Sequence, residues 1–110
     1  MAYDGTEGGI IPRGTARQLM ENYMNSAAFP ANNDTKGILY GRDNIEAILA
    51  QPGCKGIRIY YGKEGVNPSD PAKMILVGYD ADGNDLVELI VDYGMPCPTH
   101  CPDPGRGINN

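Results

Sequence analysis

The fold is decided by Gly56-Ile57-Arg58-Ile59-Tyr60-Tyr61-Gly62 and, beyond a loop, Met74-Ile75-Leu76-Val77-Gly78-Tyr79, the turn Asp80-Ala81-Asp82-Gly83-Asn84-Asp85, and Leu86-Val87-Glu88-Leu89-Ile90-Val91. In the first segment Ile57, Ile59 and Tyr61 alternate with Arg58 and Tyr60, the period of a strand with one face buried. Met74 to Tyr79 is the most apolar run and reads as the central strand. The Asp-Gly turn then returns the chain as a third strand. Lys63 to Ala72 carries two prolines and reads as loop.

Upstream, the period changes. Thr15 and Gln18 have the spacing of a capping box, and Ala16, Leu19, Met20, Tyr23, Met24 and Ala27 follow as one apolar stripe. Pro30 ends that helix, and 31–37 is loop chemistry. A second helix is predicted from Arg42 to Gln51, with Ile45, Ile48 and Leu49 on one face and Pro52-Gly53 as its stop. Residues 1–13 form a Gly-rich arm with Ile10-Ile11 as its apolar anchor, 14–93 the core, and 94–110 a Pro- and Cys-rich tail without regular structure. The expected fold is therefore α+β, one domain, with two N-terminal helices packed on one face of a three-stranded antiparallel meander.

The composition agrees with a small folded domain. Gly 15 and Pro 9 in 110 residues are about twice the average share, so turns and loops are extensive. A formal charge of −5 disfavours a dominant nucleic-acid role. No apolar run reaches membrane-spanning length, and the N-terminus lacks the basic-then-apolar pattern of a standard secretory signal. The expected location is cytoplasmic, with export by another route left open. Residues 13–63 carry seven basic groups against four acids, whereas 64–103 carry eight acids against Lys73 alone. Such asymmetry can steer subunits together or pair two halves of one domain.

Few residues offer catalytic chemistry. The chain has one His, and no Gly-rich loop joins a strand to a helix, so a phosphate cradle has no support. Asp80 to Asp85 resembles a calcium loop only superficially, because Gly83 stands fourth where an EF-hand needs Gly sixth. Cys97, His100 and Cys101 form a soft-ligand cluster that could hold Zn²⁺ with Cys54 as a further ligand. The same thiols could instead pack locally or form a Cys97–Cys101 disulfide. The odd cysteine total argues for a reducing compartment. We expect no cofactor, with zinc as the alternative.

Ala50-Gln51-Pro52-Gly53-Cys54, Arg58-Ile59-Tyr60-Tyr61-Gly62, the Leu76–Asp85 hairpin and Cys97–Cys101 together resemble a family of small bacterial proteins of about this length that has no assigned function. The resemblance covers about two thirds of the chain and is weakest before Arg42. It supports the element boundaries and brings no catalytic residues.

The resulting expectations are a non-enzymatic interaction or assembly subunit, self-associating or bound to another protein, with neither nucleic acid nor membrane as partner. A metal- or thiol-dependent protein is the alternative. Arg58 and Tyr60 are expected on the sheet face away from the helices, as anchors of an interface. The expected core is Leu19, Met20, Tyr23, Ile45, Ile48, Leu49, Ile57, Ile59, Ile75, Val77, Leu89 and Val91. The cysteine tail is expected to clamp the fold beside Cys54, and not to be an active site.

Overall fold

The computed structural model describes residues 2–26 and 35–109. Its elements, in chain order, are α1 (Arg13–Met24), β1 (Gly37–Leu39), α2 (Arg42–Leu49), β2 (Gly56–Gly62), β3 (Lys73–Tyr79), β4 (Asp85–Val91) and β5 (Met95–Cys97). They divide between two compact units. One holds the arm up to Gly8, Tyr40–Gly62 and Lys73–Gly94; the other holds Gly9–Leu39, Lys63–Ala72 and Met95–Asn110.

The first unit contains the antiparallel sheet β2-β3-β4. Strand β3 is central because its side chains are apolar on both faces, and Leu76 and Val77 are consecutive and both buried. The register sets Ile59 opposite Leu76, and Leu76 opposite Val91. Directly opposed residues share a face, so Ile57, Ile59, Tyr61, Met74, Leu76 and Val91 lie on one side. Arg58, Tyr60, Ile75, Val77 and Ile90 lie on the other. A break in register between Val77 and Gly78 marks a bulge in the β3–β4 pairing.

Helix α2 packs on the first of these faces. Ile48 is fully buried and clusters with Leu76 and Val91, and Ile45, Cys54, Ile57 and Leu89 pack around them. Gly78 allows this close approach: a Cβ there would stand 2.9 Å from Cys54 Sγ and 3.2 Å from Ile48 Cγ2. The helix ends at Leu49, earlier than predicted, and the Gln51 side-chain amide donates to the Ile48 carbonyl at 3.0 Å.

The predicted arrangement of two helices on one face of the meander is overturned. Helix α2 alone supplies the helical layer in this unit; α1 belongs to the other unit and buries no residue. Its stripe is exposed, Leu19 at 57%. Helix α1 also starts at Arg13 after Pro12, with no side-chain cap, so the Thr15 capping box does not form. The expected stop at Pro30 and the loop over 31–34 lie outside the described residues.

In the second unit β1 pairs antiparallel with β5, Gly37 opposite Cys97 and Leu39 opposite Met95. The tail is therefore partly regular, contrary to expectation. Pro96 is tolerated because a two-stranded sheet is all edge. Arg13 Nη2 donates to the Gly107 carbonyl at 2.8 Å, and Arg17 Nε to the Ile108 carbonyl at 3.3 Å, which fastens the chain end to α1. None of the four buried apolar side chains among the described residues lies in this unit.

Candidate functional site

The side chains with the densest polar organisation lie on the helix-free face of β2-β3-β4. Arg58 leaves β2 and donates through Nη1 to Asp85 Oδ1 at 2.5 Å and to the Gly83 carbonyl at 3.0 Å. Tyr60, two residues along on the same face, donates its hydroxyl to Asp85 Oδ2 at 2.5 Å. One carboxylate thus fixes both residues expected as anchors, and fixed side chains lose less entropy when they meet a partner. Asp85 is positioned by the preceding turn. There Asp80 Oδ1 accepts from the backbone amides of Asp82 and Asn84, and Gly83 adopts φ 84°. The Asp80–Asp85 segment is therefore a hairpin turn.

Next to this network lies Tyr79, whose ring crosses Gly56, where a Cβ would meet it at 2.7 Å. The Arg58 guanidinium sits 5.8 Å from the ring centroid, within cation–π range. The arm docks here. The Tyr3 amide donates to the Ala81 carbonyl at 2.8 Å, its ring stands edge-on to Tyr79 at 6.1 Å, and the Tyr79 hydroxyl donates to Glu7. The arm is therefore anchored by Tyr3 and Glu7. The expected anchor, Ile10-Ile11, is exposed at 104% and 50%. Between arm and sheet runs an open cleft of about 440 Å³, lined among others by Tyr3, Glu7, Lys55, Arg58 and Tyr79.

The electrostatics favour fixed charge. The Tyr60 hydroxyl, and with it the Arg58 guanidinium, hold the Asp85 carboxyl below its ordinary value. The Tyr79 hydroxyl does the same for Glu7, and that bond raises Tyr79 in turn. Carboxylates held low stay ionised at neutral pH.

Beside this face, β2 is exposed over three successive residues: Ile59 at 53%, Tyr60 at 45% and Tyr61 at 81%. Ile59 was expected in the core. It lies on the helix-bearing face, but beyond the reach of α2.

The cysteines separate. Cys97 and Cys101 are joined as a disulfide, and the Cys97 carbonyl accepts from the Lys36 amide at 2.7 Å. His100 is exposed on the intervening loop, its amide donating to the Pro96 carbonyl at 2.9 Å. Cys54 keeps a free thiol that lies against Gly78 and donates to the Gly56 carbonyl at 3.3 Å. Among the described residues no group of three or more His, Cys, Asp or Glu side chains converges in a ligating arrangement. No helix among them is long and apolar enough to cross a membrane.

Sequence reasoning missed Asp85, Tyr3 and Glu7. Asp85 read as a solvated turn acid, although its place at the start of a strand was a signal that it could point along the sheet. Compared with models of known families, with curated proteins and with solved structures, the chain matches none.

Proposed function

We propose that the chain, as kin of the small bacterial family it resembles, is a non-enzymatic interaction or assembly subunit that binds a protein surface through the β2 side of its three-stranded sheet. The observation that carries this reading is the exposed run Ile59-Tyr60-Tyr61 beside an Arg58 and Tyr60 already held by Asp85. Contiguous apolar and aromatic exposure marks contact sites, and Tyr and Arg are the side chains that anchor them.

The test is sedimentation over a range of concentrations, together with pull-down of partners, for the wild type and for Arg58→Ala combined with Tyr60→Ala. A concentration-dependent complex weakened by the double change supports the reading. A strictly monomeric wild type, with every binding assay indifferent to the double change, overturns it.

A further inference from the structure

We propose that the partner of strand β2 is β2 of a second copy, paired antiparallel about a two-fold axis through Ile59 so that two three-stranded sheets become one of six strands. This rests on the reading of the β2 side as the contact surface, and goes further by naming the occupant and the register. Strand β2 is an edge in the order β2-β3-β4, and among the described residues its backbone from Ile57 to Gly62 bonds to β3 alone. An edge with an unused row of amides and carbonyls is a template for another strand. Here the edge is also apolar and exposed at Ile59, Tyr60 and Tyr61.

The sequence of the strand selects a second copy. With Ile59 opposite itself, Gly56 meets Gly62, Ile57 meets Tyr61 and Arg58 meets Tyr60. Within 57–61 no pair opposes like charges. Ile57 with Tyr61 joins a β-branched to an aromatic side chain, one of the favourable cross-strand pairs. Arg58 with Tyr60 opposes a cationic and an aromatic residue, and within each copy both side chains reach across β3 to Asp85. The faces match as well: Ile57, Ile59 and Tyr61 extend the side that carries α2, while Arg58 and Tyr60 extend the other. Gly62 adds no side chain where the strands diverge, while at Gly56 the Tyr79 ring and the docked arm limit the pairing to the residues that follow. Lys55 and Lys63 stand just outside the paired residues, each facing the other's copy, so added salt should strengthen association by screening them.

The decisive experiment uses Ile59→Lys and Ile59→Glu, each alone and mixed, followed by analytical ultracentrifugation at low and high salt. Ile59 is half exposed, so both variants should keep the wild-type melting curve at concentrations low enough for the wild type to be dissociated. Like charges meeting on the axis should weaken self-association roughly a hundredfold in either variant alone, and the mixture should restore it. As a second measurement on the wild type, hydrogen exchange of the alternate amides in 57–62 that do not bond β3 should slow as concentration rises. A wild-type complex that both single variants leave intact overturns the β2 pairing while the assembly reading stands. A wild type that is monomeric alone yet binds another protein through Arg58 and Tyr60 likewise overturns the second copy as occupant. A monomer that binds nothing overturns both.

Discussion

Gly78→Ala tests whether α2 is seated on β3 as closely as the structure places it. The glycine does not need a left-handed backbone, so alanine would gain about 0.4–1 kcal/mol by restricting the unfolded chain. Against that gain stands the space. The new Cβ would lie 2.9 Å from Cys54 Sγ, 3.1 Å from Gln51 Nε2 and 3.2 Å from Ile48 Cγ2. Ile48 is fully buried and has nowhere to go, so the helix itself must lift. Overpacking of this kind costs about 1–3 kcal/mol, and the net expectation is a loss of about 1 kcal/mol or more. For a domain of this size that lowers the melting temperature by several degrees, read by circular dichroism and confirmed by urea titration. Adding Cys54→Ala removes the nearest obstacle and should recover part of the loss, a coupling that distant sites would not show. Gly62→Ala is the control, since its nearest neighbour is the flexible end of Ile75 at 3.0 Å. If Gly78→Ala matches or exceeds the wild type, α2 is not packed against β3 and the description of the core fails.

Ile48→Ala should cost about 2–5 kcal/mol in the same denaturation assay, whereas Ile59→Ala, at a position 53% exposed, should fall within about 0.5 kcal/mol of the wild type. The folded pKa of Asp85 lies below its unfolded value, so its contribution is complete above about pH 4 and is lost as pH falls through the folded value. The stability gap between wild type and Asp85→Asn should therefore close on acidification; a gap that widened would refute the Arg58–Asp85–Tyr60 network. Replacing Cys97 and Cys101 by serine reopens a five-residue loop, which by chain entropy removes about 2 kcal/mol. Faster exchange of the Lys36 amide without change at Leu76 would show that loss confined to the β1–β5 unit.

Legibility followed the local signals. Strands β2, β3 and β4 and the Asp80–Asp85 turn carry their own periodicity and turn chemistry, and they stand where the sequence put them. Strands β1 and β5 are three residues each, too short to show a period, and one contains Pro96. They exist because residues far apart in the chain pair with each other, which no local pattern reports. The core was half read for a related reason. Alternation correctly placed Ile57 and Ile59 on one face, yet Ile75 and Val77 were assigned to that same face. The actual register sets Ile59 against Leu76, a buried residue the sequence reading passed over. At the candidate site Arg58 and Tyr60 were legible as the residues that alternate with Ile57, Ile59 and Tyr61 on a strand. Asp85 was not, because the bond that defines it spans 27 residues.

The exposure of Ile59 also has a cause in the dimensions of the elements. Helix α2 has eight residues and is about 12 Å long, while a seven-residue strand runs about 23 Å. Even laid along the strands, such a helix covers half of one sheet face. It sits at the Gly78 end, over Leu76, Val91 and Ile57, and leaves Ile59 and Tyr61 bare. The two ends of this face therefore have different physical duties. The covered end holds the fully buried Ile48 and sets the stability of the unit. The bare end contributes little to that stability, so its apolar side chains are free to serve contact with another surface. A sequence that needed only to fold could place polar residues at 59 and 61 at little cost. The packing around Ile48 does not call for isoleucine and tyrosine at those positions, and the proposed contact through β2 would give them a role.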